Sequence, residues 1–294
     1  DILNVITEQY NKLAYYPNHF WTETDINNIF AKRICKLLNY DNVYFANSGS
    51  EAVEISLNDI TGKIYLPFKS YHGSTYRTRN LSYFGNSNER ATKLNDTVDA
   101  VLIEPIAGNT GVYHITEEEV EEINYYKDIY GYKIIVDETT TSLGRSGKIS
   151  YADYLGINAD RLIVSKGLTN GVIPMSAVLF RDFDYDQVFL HGFTQSGNNL
   201  ACAVANYCLN LLSNTNLAEI SSKIGANLSG LNFPYRQYGY MIGIDVPNSK
   251  DARNRLYKAG YIVRNYESTL ILSPMFITSP LYLSHVVDII NQGF

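Results

Sequence analysis

Residues 133–138 of the chain read Lys-Ile-Ile-Val-Asp-Glu. Their apolar run is continuous rather than alternating, which is typical of a strand buried on both faces of a parallel sheet. Similar runs recur between residues 44 and 180, separated by segments with helical spacing, so we predict a mainly parallel α/β sheet flanked by helices. The predicted strands are Tyr44–Ala46, Lys63–Leu66, Ala100–Glu104, Ile134–Asp137, Arg161–Lys166 and Met175–Phe180.

A different pattern begins after Ser213, where we expect a connecting helix within Ser213–Asn232 and then a small α+β module. The sequence therefore predicts three parts: an aromatic-rich N-terminal arm over residues 1–22, a large domain over 23–213 and a small C-terminal domain over 214–294. The elements predicted in the small domain are the strand Tyr240–Val246, the helix Lys250–Ala259, the strand pair Tyr261–Arg264 and Thr269–Leu272, and the helix Pro280–Ile290.

Composition narrows the class of protein. The 294 residues are 45% hydrophobic, enough for a large core, and the net charge of −6 disfavours a nucleic-acid surface. No apolar run approaches the roughly 20 residues of a membrane-spanning helix. The three cysteines are an odd number without metal-ligand spacing, so we expect no disulfide framework, no metal site and a reducing, cytoplasmic location.

Polar residues follow four of the predicted strands, where ligands bind to an open parallel sheet. Ser48–Ser50 would open a helix, which suits a phosphate group but is more often a simple helix cap. Glu104 and Asp137 would need polar partners if buried. Lys166 at the mouth of a site would have a lowered pKa and react with carbonyl groups. Each residue taken alone is also compatible with a purely structural role.

Taken together, a phosphate site, a strand-end aspartate and a strand-end lysine indicate one cofactor. Pyridoxal 5'-phosphate needs an anion site for its phosphate, a carboxylate to keep its ring nitrogen protonated, and a lysine that binds it and transfers a proton. We therefore predict a pyridoxal-phosphate enzyme with Lys166 and Asp137 as its catalytic residues.

The same residues lie in six motifs that resemble those of class III pyridoxal-phosphate aminotransferases, the ω-aminotransferase group of fold type I. The resemblance extends from about residue 10 to residue 280, and it implies the fold, the cofactor and an amino-transfer reaction. The matching segments are residues 45–52, 71–73, 104–105, 137–147, 165–168 and 191–198.

The resemblance assigns roles to individual positions. Lys166 would bind the cofactor covalently, and Asp137 would pair with its ring nitrogen. Gly49 and Ser50 would bind the phosphate, and Tyr71 would stack on the ring.

Further cofactor contacts follow from the same motifs. Ser48 and His72 lie inside them, and Glu104 would support the site beneath the cofactor. Thr139 would replace the aliphatic residue that usually packs on the ring. Family members are dimers, so Thr194 would reach the cofactor phosphate of the neighbouring subunit.

The substrate is less constrained. Arg264 resembles the carboxylate-binding arginine of 8-amino-7-oxononanoate aminotransferases of biotin synthesis, although Ser74 and Asn265 depart from their pattern. Ornithine-type relatives carry an arginine shortly before a Pro-Pro pair, which residues 270–275 lack. Tyr16 and Trp21 stand where relatives have aromatic pocket residues, with plain core packing as the alternative.

Several functions therefore remain open. The main prediction is transamination from an amine donor to a keto or aldehyde acceptor, both small molecules. A glutamate-1-semialdehyde-like aminomutase is one alternative, because residues 104–109 resemble those enzymes. A pyridoxal-phosphate-binding protein without turnover is the other, because the segment from Ser74 to Asp99 is much shorter than in the family.

Overall fold

The computed structural model of the chain describes residues 2–18, 22–67, 70–81, 90–181 and 192–293. Within these ranges the helices are α1 (Ile2–Leu13), α2 (Asp25–Leu38), α3 (Gly49–Ser56), α4 (Tyr76–Leu81), α5 (Glu117–Tyr130), α6 (Tyr151–Leu155), α7 (Asn199–Ser213), α8 (Leu217–Leu228), α9 (Ser249–Lys258) and α10 (Pro280–Asn291). The strands are β1 (Asn42–Ala46), β2 (Lys63–Tyr65), β3 (Arg90–Ala91), β4 (Val98–Ile103), β5 (Ile106–Ala107), β6 (Tyr113–His114), β7 (Lys133–Asp137), β8 (Arg161–Val164), β9 (Ser176–Phe180), β10 (Tyr235–Tyr238), β11 (Met241–Asp245), β12 (Arg264–Tyr266) and β13 (Thr269–Leu272).

The large sheet determines where the site lies. Its strand order in the described residues is β1-β9-β8-β7-β4-β2-β3. Strands β8, β7, β4, β2 and β3 are parallel, whereas β9 runs antiparallel to both β8 and β1. Because β9 reverses the direction once and β1 reverses it again, the carboxyl ends of β1, β8, β7 and β4 lie at the same edge. The predicted mainly parallel fold is confirmed.

Both faces of this sheet are covered. Along β7, Ile134 and Val136 belong to a core shared with α2, α5 and α7, whereas Ile135 belongs to a second core shared with α3 and α4. Adjacent residues of a strand point to opposite faces, so an unbroken apolar run is needed when helices cover both. Helix α5 begins with the reciprocal hydrogen bonds of a capping box between Thr116 and Glu119.

The small antiparallel sheet has the order β10-β11-β13-β12 and packs on α8, α9 and α10 around a core of its own. The boundary between residues 213 and 214 stays a prediction. The strand predicted at Tyr261–Arg264 begins only at Arg264. The backbone N–H of Tyr261 still donates to the carbonyl of Leu256, so this residue completes the end of α9 instead of joining the sheet. Strand β10 was not predicted.

Other boundaries also differ from the sequence predictions. The strand predicted over Arg161–Lys166 ends at Val164, and Lys166 begins a short 3-10 helix, Lys166–Thr169. Helix α1 forms much of the predicted N-terminal arm and packs, like α2, against α7. Among the residues that the structure describes, no helix combines the length and apolar character needed to cross a membrane.

Candidate active site

A buried carboxylate marks the centre of the shared sheet edge. Asp137 ends β7 and has only 4% of its surface exposed. Its Oδ2 atom lies 2.9 Å from Nδ1 of His72, and its Oδ1 atom accepts a 3.1 Å hydrogen bond from the backbone N–H of Thr139. Burial alone would raise the pKa of Asp137, but the hydrogen bond and charge of His72, together with Thr139, lower it below its ordinary value. Asp137 is therefore negatively charged at neutral pH.

A second buried carboxyl group lies next to it. Glu104 directly follows β4, and its Oε2 atom accepts a 2.9 Å hydrogen bond from the backbone N–H of Tyr71. Burial, reinforced by the charge of Asp137 and opposed by His72, raises the pKa of Glu104 to about 7. Near neutral pH this group therefore exists in both its protonated and its ionised form.

Lys166 extends from the next strand end. It follows β8 by two residues, and its backbone lies in the left-handed region with a φ of 32°. Its Nζ atom donates a 2.6 Å hydrogen bond to Oγ1 of Thr140, a residue just beyond the end of β7. This contact holds the amine on the side of the edge where Asp137 lies.

Charges on both sides act on this amine. Solvent reaches the Lys166 side chain, yet the surrounding protein removes part of the hydration of the amine, and this burial lowers its pKa. The carboxyl groups of Asp137 and Glu104 oppose that effect, whereas the guanidinium groups of Arg264 and Arg145 reinforce it. Lys166 therefore shares one electrostatic environment with both buried carboxyl groups and both arginines.

The segment after β1 has the local structure of a capped helix start. Ser48 is the N-cap of α3, and its Oγ accepts a 3.3 Å hydrogen bond from the backbone N–H of Glu51. Gly49 and Ser50 form the first turn of α3, where backbone N–H groups lack partners within the helix. Both readings of this motif, cap and anion site, are compatible with this arrangement.

Two glycines bring this segment close to the rest of the site. A Cβ atom added to Gly49 would lie 3.0 Å from the Thr139 side chain, so a larger residue there would press on the end of β7. Gly73 has a φ of 113°, and a Cβ atom added to it would collide with Ser50. The Oγ atom of Ser50 accepts a 3.1 Å hydrogen bond from the backbone N–H of Ser74. The two motifs are therefore in direct contact.

Two arginines extend the site toward the small domain. Arg264, at the start of β12, contacts the amide oxygen Oδ1 of Asn109 through Nη1, and Glu104 interacts with it electrostatically. Arg145 donates a 2.6 Å hydrogen bond to the carbonyl of Pro274, and its guanidinium lies 5.0 Å from the ring centre of Phe276. Among the ion pairs of the described residues, neither arginine has a carboxylate partner.

The remaining predicted site residues lie elsewhere or are outside the described ranges. Thr194 is exposed, and its carbonyl accepts a 2.9 Å hydrogen bond from the Tyr15 hydroxyl. Tyr16 is also exposed, with 45% of its surface accessible, so the core-packing alternative is wrong for this residue. Trp21 lies outside the described residues. Tyr71 is partly exposed, as a residue that contacts a ligand would be.

Sequence reasoning assigned no role to several residues that the fold brings here. Ser70 lies 2.7 Å from Nε2 of His72, Thr140 binds the Lys166 amine, and Asn109 holds Arg264. Thr140 was the easiest to find, because it stands three residues after a strand-end carboxylate. The pairing of Asn109 with Arg264 joins residues 155 positions apart, and nothing local signals it.

Comparisons with known proteins identify the family of the chain. Residues 64–294 match the family described as aminotransferase class-III. Acetylornithine aminotransferase of Archaeoglobus fulgidus is 27% identical, covering 93% of this chain and 80% of that protein. Ornithine aminotransferase of Macrococcus caseolyticus is also 27% identical, covering the whole of this chain and 84% of that protein.

Solved structures share the fold. The PLP-bound form of an amine transaminase from an uncultivated Pseudomonas species has a TM-score of 0.86 at 22% identity, covering 98% of this chain and 85% of that one. Ornithine aminotransferase of Toxoplasma gondii has a TM-score of 0.86 at 24% identity, covering 100% of this chain and 80% of that one. Because the family match covers well over half of its length, the chain belongs to the class III aminotransferases, a family of pyridoxal-phosphate-dependent enzymes.

Proposed function

We propose that this site binds pyridoxal 5'-phosphate and transfers an amino group from an amine donor to a keto or aldehyde acceptor. The observation that carries the proposal is the cluster formed by an ionised, buried Asp137, its partner His72 and the Lys166 amine at one sheet edge. These groups come from the ends of two adjacent strands, β7 and β8, and from residue 72 across the sheet edge. Their convergence has no evident structural need.

The residues fit the cofactor chemically. A buried, negatively charged Asp137 suits a protonated ring nitrogen, and the Lys166 amine suits a carbonyl carbon. Ser50 and the start of α3 suit a phosphate. The helix start packs so closely on Thr139 that position 49 has little room for a side chain, which glycine does not need. Tyr71, anchored through its backbone to Glu104, would lie beside the ring.

When bound, pyridoxal 5'-phosphate supplies the carbonyl that takes up the amino group and a ring that withdraws electrons from the reacting carbon. Asp137 would hold a proton on the ring nitrogen. Burial lowers the pKa of Lys166 and so favours the neutral amine that a general base needs. Its Nζ would accept and return a proton as general base and acid. Thr140, hydrogen-bonded to Nζ, would orient it.

We propose further that the acceptor carries a carboxylate, which Arg264 would bind. This arginine keeps solvent access, is held by a neutral amide rather than a carboxylate, and interacts electrostatically with the Lys166 amine. A guanidinium that forms no ion pair among the described residues and lies near a reactive amine is suited to an incoming acid. 8-Amino-7-oxononanoate is the candidate acceptor that follows from the sequence resemblance.

A second candidate rests on the relatives, which are named ornithine and acetylornithine aminotransferases. Against it, residues 270–272 of β13 supply no arginine, and Ile271 is buried in an apolar cluster with Met241 and Ile106. A site of the ornithine type would therefore need a different carboxylate partner, for which Arg264 and Arg145 are the available cations.

The test is a half-reaction screen with the purified protein loaded with pyridoxal 5'-phosphate. We expect the visible band of the bound cofactor to disappear with a matching amine and to return with its acceptor. Lys166→Ala should show neither change. Arg264→Ala should weaken carboxylate acceptors by at least about tenfold, the loss of one charge-assisted contact, while aldehydes without a carboxylate react as before.

Matched controls decide between the alternatives. Arg253→Ala removes a half-buried arginine of α9 that bonds to Asn265, so it should leave acceptor selectivity unchanged. Equal losses for acids and neutral aldehydes in Arg264→Ala would refute the carboxylate role. Isomerisation of a single substrate without any acceptor would indicate an aminomutase, and a bound chromophore that no amine bleaches would indicate a protein without turnover.

We also propose a homodimer in which Thr194 contributes to the neighbour's site. Its exposed position, on a segment that Tyr15 and Asn18 tie to the N-terminal arm, supports such a role. Sedimentation should show a dimer. Thr194→Val should lower the affinity for the cofactor without dissociating the dimer. A fully active monomer would refute the proposal.

A further inference from the structure

The tip of the hairpin formed by β5 and β6 places Asn109 beside Arg264. The backbone N–H groups of Thr110 and Val112 both donate to the carbonyl of Ala107, at 3.3 and 3.0 Å, so the tip is a tight turn. Asn109 stands on this turn, and its Oδ1 atom contacts Nη1 of Arg264. The hairpin therefore carries an amide side chain to an arginine at the start of β12.

A second arginine fixes the hairpin tip. Arg236 of β10 donates to the carbonyl of Gly111 through Nε at 2.8 Å and through Nη2 at 2.6 Å. The same guanidinium pairs with Asp245 at 2.6 Å and lies 3.8 Å from the ring centre of Tyr113. Because the turn is tied down at Gly111, the hairpin itself sets the position of Asn109.

The chemistry of the two groups determines which atom of the amide faces the arginine. A guanidinium only donates hydrogen bonds, so the atom that meets it is the amide oxygen of Asn109. The NH2 group of the amide is then left for another acceptor, and among the described residues it has none. Asn109 carries no charge, so it holds Arg264 without neutralising the guanidinium.

The nearest carboxyl group does not neutralise this arginine either. Glu104 acts on Arg264 electrostatically, but its Oε2 atom accepts from the backbone N–H of Tyr71, and the ion pairs of the described residues do not include it. The positive charge of Arg264 in turn helps to lower the pKa of Lys166. Arg264 therefore lies within electrostatic range of the amine and has only a neutral side chain as its hydrogen-bond partner.

We propose that Asn109 is a specificity-determining residue, which holds Arg264 through a neutral oxygen and so keeps the guanidinium available to a substrate carboxylate. The free NH2 group of the amide can donate to the same carboxylate. An aspartate of equal size would instead pair with Arg264 and compete with the substrate. The inference rests on the proposed function, because it concerns acceptors that carry a carboxylate.

The first experiment measures the acceptor half-reaction of the loaded enzyme with succinic semialdehyde and with butanal, which differ in the carboxylate. Asn109→Asp should raise the half-saturating concentration of succinic semialdehyde by at least about tenfold, the loss of one charge-assisted contact. Asn109→Leu, which is neutral but cannot hold the arginine, should raise it by about fivefold. The saturating rate, and both values for butanal, should stay unchanged.

Two comparisons separate this role from a general effect of the substitution. Asn254→Asp is the matched control, because Asn254 accepts a 2.9 Å hydrogen bond from Arg253 on an exposed part of α9 and should leave both aldehydes unaffected. In the Arg264→Ala background, Asn109→Asp should lose most of its effect, since that effect passes through the arginine. Equal losses for both aldehydes, or an equal loss in Asn254→Asp, would overturn the proposal.

The second experiment needs no turnover. Binding of heptanoate to the cofactor-free protein is measured by calorimetry, and we expect Asn109→Asp to bind it at least about tenfold more weakly than the wild type. Equal binding by the two proteins, or no binding by the wild type, would overturn the role of Asn109. A loaded protein that no amine bleaches would refute the proposed function, while heptanoate binding would still decide the role of Asn109.

Discussion

Replacing Glu104 with glutamine should make the protein more stable at mildly alkaline pH. Glu104 is 3% exposed and lies beside Asp137, and these two influences outweigh His72 and raise its pKa from 4.5 to about 7. Glutamine keeps an oxygen that can accept the hydrogen bond from the Tyr71 N–H but never carries the charge. The substitution therefore removes the cost of ionising a buried group next to another anion.

The size and sign follow from the linkage between proton binding and folding. The folded state binds the Glu104 proton more tightly than the unfolded state, so stability falls as pH rises from 4.5 to about 7 and then levels off. At about 1.4 kcal/mol per pKa unit, the full effect is about 3 kcal/mol. Glu104→Gln should lack this decline. The variant should match the wild type near pH 4.5 and exceed it by about 3 kcal/mol above pH 7.

The measurement is urea denaturation of the cofactor-free protein, followed by circular dichroism at about pH 5 and about pH 8. Glu118→Gln on the exposed face of α5 is the matched control and should give parallel profiles at both pH values. If the free energies of unfolding of Glu104→Gln and the wild type differ by the same amount at both pH values, the reasoning about Glu104 is refuted.

Three further predictions concern the site and its support. Thr140→Val removes the hydroxyl that accepts the hydrogen bond of the Lys166 amine. Cofactor uptake, followed as growth of the visible band, should slow by about tenfold in this variant and keep the wild-type rate in Thr140→Ser. An unchanged rate in the valine variant would exclude an orienting role. Glu138→Ala removes a buried carboxyl group that accepts three hydrogen bonds from the start of α6 and one from Thr141. The free energy of unfolding should fall by at least about 3 kcal/mol in urea, and a loss below about 1 kcal/mol would contradict this. Arg161→Ala removes a buried guanidinium that pairs through two nitrogens with the exposed Asp59 and donates to the Ser56 carbonyl. We expect a loss of about 2 kcal/mol in the same assay, and near-wild-type stability would show that water replaces the guanidinium.

Much of the fold could be predicted because two-sided burial leaves a clear mark on the sequence. Residues 100–103 of β4, 134–136 of β7 and 162–164 of β8 form unbroken apolar runs. The polar residues that follow two of these runs, Asp137 and Lys166, were therefore identifiable. The direction of β9 was not predictable, because an apolar run fixes burial and not orientation. Strand β10, only half-buried and rich in tyrosine, lacked the apolar signature altogether.

The sequence could supply candidate site residues but not the contacts between them. The hydrogen-bond partners depend on long-range packing, as for His72 and Asp137, which are 65 positions apart. The contact between Lys166 and Thr140 depends on a backbone turn at Lys166 that no local pattern encodes. Sequence motifs therefore located the chemistry, and the fold supplied the partners.

The left-handed backbone at Lys166 has a consequence for inactive variants. Side chains with a Cβ atom are strained at a φ of 32°, at a cost of about 1 kcal/mol or more, and glycine is not. A glycine at position 166 would thus relax the main chain while abolishing the reactive amine. The backbone at position 166 therefore carries a cost that a lysine does not offset through folding, and only the chemistry of its amine distinguishes it favourably from glycine there.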